Sequence, residues 1–282
     1  MLMKVRVNMI KLSVVAVVGW VLCSSNAQAQ QQNEDSFTIH WTINPSPPFH
    51  ILKGEYKNLG ICDILIDKIS KTLPNINHEV RVMPQTRIKY NAMQNQNLCF
   101  PCMIKREHSP YFYYSDVTVT HPPLGIILRA TLAQRLAEEN ATYLSFTELA
   151  SNNKLRFGRP VARRFPPELQ EVIDEYQQTP RFFEIAGEDA TTRVMKQVSR
   201  GRLDYALEYP TILRYYSLSH PVNDLTFLPT EELGYKNVPG AVGCTKNEWG
   251  KKAITEINHA LKMVLQDEEY QAQQAFWQDI SY

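Results

Sequence analysis

Hydrophobic patterns typical of strands and of helices alternate along almost the whole chain. From Phe37 to Ile43 every second residue is apolar, which is the period of a strand with one buried face. From Ile61 to Leu73 an apolar residue recurs at every fourth position, as on one face of a helix, and Pro74 ends the pattern. Further strand-like segments lie at 98–104, 125–128, 155–158, 203–207, 225–228 and 241–245. This alternation predicts an α/β fold whose parallel or mixed sheets are covered by helices, with ligand sites at the carboxyl ends of strands.

The N-terminus has the three parts of an export signal. Lys4, Arg6 and Lys11 precede an apolar run from Leu12 to Cys23, and Ala27-Gln28-Ala29 offers small residues for cleavage. The run is shorter than the roughly 20 residues that span a bilayer. We therefore predict a cleaved signal peptide at residues 1–29 and a periplasmic product. A lipoprotein anchored at Cys23 is the alternative.

Length and charge limit the classes of function. The mature chain of 253 residues after position 29 is long enough for two medium-sized domains. It keeps 27 of the 30 basic side chains against 29 acidic ones, a net charge of −2 with neutral histidines. Nucleic-acid binding proteins carry a basic excess, so we predict no nucleic-acid partner.

Four cysteines remain after the signal: Cys62, Cys99, Cys102 and Cys244. In an exported protein these thiols can oxidise, and four cysteines allow three fully paired arrangements. The Cys-x-x-Cys spacing of Cys99 and Cys102 also occurs in redox enzymes and zinc sites, but here it falls within a strand-like apolar run. We predict a structural disulfide that involves Cys99 or Cys102, and no metal site.

Several segments resemble a known family, the extracellular solute-binding proteins of family 3, typified by receptors of polar amino-acid ABC transporters. The resemblance rests on the order and spacing of short motifs that together cover almost the whole mature chain. They are Pro47-Pro48-Phe49, Leu59-Gly60-Ile61-Cys62-Asp63, Met83-Pro84-Gln85-Thr86-Arg87, Tyr113-Tyr114-Ser115-Asp116, Gly201-Arg202-Leu203-Asp204-Tyr205 and Gly243 to Lys246.

The resemblance implies a type II periplasmic-binding-protein fold with two mixed sheets flanked by helices and joined by a two-strand hinge. It implies a first lobe formed by residues 36–124 and 246–282, and a second lobe formed by 125–245. It also implies a monomer that captures a small polar ligand between its lobes and delivers it to an ABC permease in the inner membrane. The ligand would be amino-acid-like or would carry a carboxylate.

The chain departs from the family at two places that concern the ligand. Members that bind α-amino acids commonly use Thr-x-x-Arg in the first lobe to hold the carboxylate. Here the segment around Arg106 lacks the threonine. The acidic residue that holds the amine in those members corresponds to Tyr209, and Glu208 lies one position before it. We keep all three as candidate ligand contacts.

Three further residues are candidates by their chemistry. Arg87 and Arg163 follow strands near predicted helix starts, where a guanidinium can hold a carboxylate through two hydrogen bonds. The alternative for Arg87 is a salt bridge that fixes the helix to its own lobe, and the alternative for Arg163 is a solvated surface charge. Phe49 lies in a proline-rich loop, and its flat ring could form an aromatic wall with Tyr209.

Common catalytic and cofactor motifs are absent from the sequence. There is no His-Glu-x-x-His, no Gly-x-Ser-x-Gly and no phosphate-binding P-loop. We therefore predict a binding protein without a cofactor, and not an enzyme. Two alternatives stay open: a lyase or dehydratase on the same scaffold, and a stand-alone sensor.

Overall fold

Ten strands and nine helices form the described part of the chain. The structure, a computed structural model, describes residues 37–136, 142–161, 163–187, 189–222 and 224–279. Residues from Ser36 to the C-terminus belong to one unit by their internal contacts. The predicted signal peptide lies outside the described residues.

The strands, in chain order, are β1 (Thr38–Ile43), β2 (Asn77–Val82), β3 (Cys99–Ile104), β4 (Phe112–His121), β5 (Gly125–Arg129), β6 (Phe157–Pro160), β7 (Phe182–Ile185), β8 (Tyr205–Glu208), β9 (Leu225–Pro229) and β10 (Val238–Thr245).

The helices, in chain order, are α1 (Ile61–Thr72), α2 (Gln85–Met93), α3 (Ala130–Leu136), α4 (Phe146–Ser151), α5 (Pro167–Tyr176), α6 (Ala190–Ser199), α7 (Pro210–Ser219), α8 (Glu248–Val264) and α9 (Glu268–Gln278). No helix among these is long and apolar enough to cross a membrane.

Two five-stranded mixed sheets organise these elements. The first has the order β2-β1-β3-β10-β4, with β1 parallel to β2 and β3, and β10 antiparallel to both of its neighbours. The second has the order β7-β6-β8-β5-β9, with β6 parallel to β7 and β8, and β5 antiparallel to β8 and β9. The predicted α/β class with two mixed sheets is confirmed.

The chain passes between the two sheets twice. The first passage joins β4 to β5, and the second joins β9 to β10. They lie side by side where they leave the first sheet, because His121 at the end of β4 pairs with Val238 at the start of β10. Strand β10 falls within the range predicted for the second lobe, 125–245, and it is a member of the first sheet. The chain thus returns to the first sheet at Val238.

Each sheet has its own hydrophobic core. Ile39 and Trp41 of β1 pack with the predicted apolar stripe of α1 and with Ile257 and Leu261 of α8. The second sheet packs Ile126 against α4, α5 and β8 in one cluster and Ile127 against α6 and α7 in another. Successive side chains of β5 thus point to opposite faces of the sheet, and both faces are covered by helices.

Both disulfides lie in the first sheet region. Cys99 pairs with Cys244 across β3 and β10, and Cys62 of α1 pairs with Cys102 of β3. Phe100 and Met103 of β3 pair with Gly243 and Ala241 of β10, so two residues of β3 oppose one of β10 in a β-bulge. Cys102 lies in this bulge with φ of 53°. The predicted structural disulfide is confirmed for both cysteines of the Cys-x-x-Cys segment, and each has a distant partner.

Candidate functional site

The loop that carries Phe49 is fixed to the N-terminus of α1. The backbone N–H of Ile61 donates to the carbonyl of Pro48, and that of Cys62 donates to the carbonyl of Phe49, both at 3.0 Å. A side chain at position 60 would place its Cβ 2.3 Å from the carbonyl oxygen of Phe49. Gly60 therefore allows the loop to approach the helix, which is the close backbone contact that glycine permits.

Asp63 strengthens this attachment. Its Oδ2 accepts hydrogen bonds from the backbone N–H groups of Ile51 (2.9 Å) and Gly60 (3.1 Å). Its Oδ1 lies 2.7 Å from Nδ1 of His50, which is buried. The residues on both sides of Phe49 are thus held by backbone and side-chain hydrogen bonds, so the half-buried Phe49 ring is presented by a rigid loop.

Arg163 and Glu208 meet because their strands are neighbours. Strands β6 and β8 are parallel and adjacent, so their carboxyl ends lie at the same edge of the second sheet. Glu208 ends β8, and Arg163 follows β6 by three residues. The Nε and Nη2 atoms of Arg163 donate to Oε1 of Glu208 at 2.9 and 2.6 Å.

Glu208 is a buried carboxylate that is already paired. Its side chain is 0% exposed, and that of Arg163 is 22% exposed. Burial raises the pKa of the Glu208 carboxyl, while the charge and hydrogen bonds of Arg163 act in the opposite direction. The backbone N–H of Tyr209 donates to Oε2 at 3.3 Å. Both carboxylate oxygens therefore have protein partners in this structure.

Three aromatic rings meet where the two lobes face each other. Phe49 comes from the loop after β1, His121 ends β4, and Tyr209 follows β8 as the N-cap of α7. The Phe49 ring lies 5.2 Å from the His121 ring and 6.5 Å from the Tyr209 ring, edge to face in both cases. His121 and Tyr209 lie 5.8 Å apart. These rings and the Arg163–Glu208 pair form what we call the aromatic cluster.

The guanidinium of Arg163 contacts both Glu208 and the Tyr209 ring. Its central carbon lies 5.9 Å from the centre of the Tyr209 ring, within the range of a cation–π interaction. Burial raises the pKa of the Tyr209 hydroxyl. Four of the six residues predicted as ligand contacts are therefore close together: Phe49, Arg163, Glu208 and Tyr209.

His121 belongs to this cluster, although it is not among the residues predicted as ligand contacts. Its side chain is 2% exposed, and burial lowers its pKa to about 4. Within the described part of the chain, its Nδ1 has no hydrogen-bond partner. Its place directly before Pro122-Pro123, at the start of the first passage between the sheets, is the sequence signal that could have identified it.

Arg87 lies at the same edge of the first sheet as Phe49. The backbone N–H of Met83, which precedes α2, donates to the carbonyl of Ile43 at the end of β1. Arg87 is in the first turn of α2 and is exposed. Its side chain forms no ion pair with any described residue. The salt bridge considered as an alternative is therefore not formed there, and the guanidinium is free to bind an anion.

Arg106 forms no hydrogen bond, ion pair or ring contact with the aromatic cluster among the described residues. It is exposed on the loop after β3, where it lines a pocket of about 300 Å³ with residues 105–109, 112–114 and 246. Lys105 and Lys246 are among these residues, so the pocket is rich in positive charge. The structure therefore brings four of the predicted contacts together and leaves Arg87 and Arg106 outside that cluster.

The arrangement brings aromatic rings of both lobes into contact, with the polar groups of His121 and Arg163 beside them. Arg163 keeps its Nη1 group, which makes no hydrogen bond with the described residues. In the described residues no three cysteine, histidine or acidic side chains are placed to hold a metal ion. The four cysteines are in disulfides and do not act as thiolates.

Comparison with known proteins identifies the fold. No protein-family profile matches the sequence, and no curated protein matches it. Solved structures do match over nearly their full lengths. A putative L-cystine ABC transporter protein from Listeria monocytogenes is 16% identical, with a TM-score of 0.62 over 87% of this chain and 98% of the other. The chain has the two-lobed fold of the periplasmic binding proteins.

Two further structures with this binding-protein fold differ in their described roles. A Streptococcus mutans structure, from work on glutathione import via GshT and the cystine importer TcyBC, has a TM-score of 0.66 and 12% identity. It is matched over 88% of this chain and 97% of its own. A histidine kinase sensor domain has a TM-score of 0.64 and 12% identity, over 87% of this chain and 98% of its own. The predicted two-lobed fold is thus confirmed.

Proposed function

We propose that this protein is a periplasmic solute-binding protein that captures a small polar ligand in the cleft between its lobes. The ligand is amino-acid-like or carries a carboxylate. The bound protein then delivers it to an ABC-type permease, and the protein itself has no catalytic role. The similar structures from importers of cystine and of amino acids support this proposal.

The observation that carries the proposal is the contact of Phe49 with Tyr209. Phe49 belongs to the first sheet's loops and Tyr209 to those of the second, and their rings lie 6.5 Å apart. The sequence predicts both positions as ligand contacts. A ligand that entered between the rings would contact both lobes at once, and only a closed form can make both sets of contacts.

The charged residues define the kind of group that is bound. Glu208 is engaged by Arg163 on Oε1 and by a backbone N–H on Oε2. A ligand amine would have to replace one of these partners, because the carboxylate is fully buried. Arg87, by contrast, has a free guanidinium at the edge of the first sheet. The cleft is therefore better suited to a carboxylate than to a free amine.

In this proposal Arg87 orients the anionic group from the first lobe, while Phe49 and Tyr209 cover the apolar part of the ligand. The Nη1 group of Arg163 completes the site from the second lobe. The two passages between the sheets, near His121 and Val238, form the hinge. Closure around ligand is the hinge motion known for two-lobed binding proteins.

A sensor is the second candidate function. The similarity to a histidine kinase sensor domain, with a TM-score of 0.64 against 0.62 and 0.66 for the two transporter-related structures, favours it. A sensor of this fold would also bind a solute in the cleft. It would then pass the closed conformation to a signalling partner and not to a permease.

Thermal unfolding of the purified, ligand-free protein tests the function. The panel comprises amino acids, small peptides, organic acids, polyamines and sugars. A ligand that binds only the native state raises the midpoint with concentration, by about 2.7 kcal/mol of stability at a hundred times its dissociation constant. We expect a carboxylate-bearing compound to raise the midpoint and to be recovered unchanged. Conversion of the compound would instead indicate a lyase.

Substitutions locate the ligand. Phe49→Ala and Tyr209→Ala should each lower the affinity at least tenfold, about 1.4 kcal/mol, because each removes one wall. Tyr235→Ala is the matched control, since Tyr235 is 66% exposed. A ligand whose affinity is unchanged by both wall variants does not bind in the cleft, and a panel without any midpoint shift would contradict solute binding.

A further inference from the structure

The imidazole of His121 is buried at the place where the two lobes meet. Its side chain is 2% exposed, and its Nδ1 forms no hydrogen bond with any residue that the structure describes. Two aromatic rings contact it, Phe49 from the first lobe at 5.2 Å and Tyr209 from the second at 5.8 Å. Because these rings belong to different lobes, separation of the lobes would uncover the imidazole and closure would bury it.

The sheet topology fixes the position of His121. Strand β10 is antiparallel to both β3 and β4, and β3 is parallel to β1, so β4 ends at the same edge of the first sheet as β1. Carboxyl ends of strands are where α/β folds bind their ligands. Gly240 of β10 allows the ring to approach the sheet, because a Cβ at this position would lie 2.8 Å from Nε2 of His121.

A buried nitrogen without a partner disfavours the closed form of the empty protein. Buried polar atoms in folded proteins almost always have a hydrogen-bond partner, because the lost bond to water is otherwise uncompensated. In an open form, water can reach Nδ1 of His121. In the closed form, a bound molecule would have to supply the hydrogen bond. This nitrogen therefore favours closure with a polar ligand over closure without one.

Two more buried atoms of this kind follow strand ends. They are Oδ1 of Asn44, directly after β1, and Oγ1 of Thr211, three residues after β8. Neither forms a hydrogen bond within the described part of the chain. The loop after β1 also carries Phe49, and the segment after β8 also carries Tyr209. Both sheets thus contribute unpartnered polar atoms at the strand ends that carry the aromatic cluster.

The surroundings of His121 suit an uncharged group. Burial lowers the pKa of His121 to about 4, so the imidazole is neutral at pH 7. The charged members of the aromatic cluster, Arg163 and Glu208, are paired with each other. A charged group beside the imidazole would lack a countercharge, and an unpaired buried charge is costly. A neutral ring nitrogen can instead pair with a hydroxyl or an amide.

We infer that His121 is a specificity-determining ligand contact, whose Nδ1 forms a hydrogen bond with an uncharged hydroxyl or amide group of the bound carboxylate. The inference rests on the proposed solute-binding function and narrows its ligand to carboxylic acids that carry such a group. A site built to form this bond discriminates against an analogue that lacks the group, because the buried nitrogen then stays unpaired.

Calorimetric titration with two matched pairs of compounds tests the inference. Glutamine and norleucine differ by a side-chain amide, and 4-hydroxybutanoate and pentanoate differ by a hydroxyl. In at least one pair we expect the wild type to bind the polar member at least tenfold more tightly. In His121→Leu this ratio should fall to about one, through loss of affinity for the polar member.

His121→Asn should restore part of the preference, because the amide of asparagine is bonded to Cγ, as Nδ1 is in histidine. The exposed His259 supplies the control His259→Leu, which should keep the wild-type ratio. Each ratio compares two compounds on the same protein, so a partly unfolded variant does not change it.

Three results would overturn the role of His121. They are a wild type without preference in either pair, a preference that His121→Leu retains, and binding of none of the four compounds. If a sugar, a peptide or a polyamine binds when these four do not, only the inferred ligand class fails and solute binding stands. If no compound of the wider panel binds either, the proposed function fails with it.

Discussion

Arg163 donates two hydrogen bonds to one oxygen of Glu208, at 2.9 and 2.6 Å, and the carboxylate beneath it is completely buried. Removing one partner of a buried ion pair leaves an uncompensated charge, which costs about 3–5 kcal/mol. The pair therefore has two roles. It stabilises the second lobe, and it occupies the carboxylate that a ligand amine would otherwise contact.

The first prediction concerns Arg163→Met, which keeps the apolar stem and removes the charge. We expect it to lower the free energy of unfolding by about 3 kcal/mol at pH 7. The loss should be smaller at pH 5. Burial raises the pKa of the Glu208 carboxyl in the folded state above its value in the unfolded state. The contribution of Glu208 to stability is therefore full at pH values below the unfolded-state pKa, and it is lost as pH rises through the folded-state pKa.

Urea unfolding at the two pH values measures this effect. Arg164→Met is the control, because Arg164 is exposed and has no ion pair with the described residues. Adding Glu208→Gln to Arg163→Met should restore much of the stability at pH 7, since it removes the unpaired charge. An equal loss for Arg163→Met at pH 5 and pH 7 would show that Glu208 is not the cause.

The second prediction concerns His121 and acid. Its folded pKa of about 4 lies below the ordinary value of 6.5, because the buried ring must stay neutral. The unfolded state therefore binds more protons than the folded state between these two pH values. The contribution of His121 to the free energy of unfolding is full above pH 6.5 and is lost as pH falls towards 4. The shift corresponds to at most about 3 kcal/mol.

His121→Gln should remove this part of the acid sensitivity. The free energy of unfolding would be measured by urea titration from pH 7 to pH 4. The exposed His259 supplies the control His259→Gln, whose pH dependence should follow that of the wild type. An unchanged acid slope in His121→Gln would mean that His121 is accessible to protons in the folded state.

The third prediction concerns the two disulfides, which close loops of very different length. The sequence separation is 145 residues for Cys99–Cys244 and 40 residues for Cys62–Cys102. In the chain-entropy description the longer loop stabilises more, about 5 against about 4 kcal/mol. We expect the Cys99→Ala/Cys244→Ala double variant to be the less stable of the two double variants in urea. The reverse order would show that local packing outweighs loop length.

The fourth prediction concerns Arg87 and the ligand. Arg87→Ala should lower the affinity for a carboxylate-bearing ligand at least tenfold, because it removes the free guanidinium at the edge of the first sheet. The free energy of unfolding should be unchanged, since the exposed side chain makes no ion pair with the described residues. Lys89→Ala, an exposed cation on the same helix, is the control for charge alone. An Arg87→Ala protein with unchanged affinity excludes Arg87 from the site.

Local patterns predicted the elements closely where one face of the element is apolar. The four-residue repeat from Ile61 to Leu73 corresponds to α1. Apolar residues at helical spacing from Ile254 to Val264 predict a second such helix, and they lie in α8. Ser145-Phe146-Thr147-Glu148 has the form of a capping box, which predicts a helix start, and the Ser145 side chain accepts from the N–H of Glu148 at the start of α4. Helix α9 was not predicted, since only two of its eleven residues, Tyr270 and Trp277, are buried.

The candidate site shows where local patterns stop being informative. Arg163 could be nominated because it follows a predicted strand, and strand ends carry ligand sites in α/β folds. Phe49 could be nominated from its proline-rich loop, and Glu208 and Tyr209 from the resemblance to family 3. Their grouping could not be predicted, because it depends on the order of strands in each sheet. His121 was missed as a ring of the cluster, since a single histidine at a strand end has no periodic signal.

The sequence by itself determined the alternation of strands and helices and the apolar face of each, because these depend on residues a few positions apart. The tertiary structure alone decided the disulfide partners and the pairing of Arg163 with Glu208. It also decided the return of the chain to the first sheet at Val238. Each of these depends on which strands become neighbours, and that choice is made by burying the apolar surface of the whole fold and not by any local pattern.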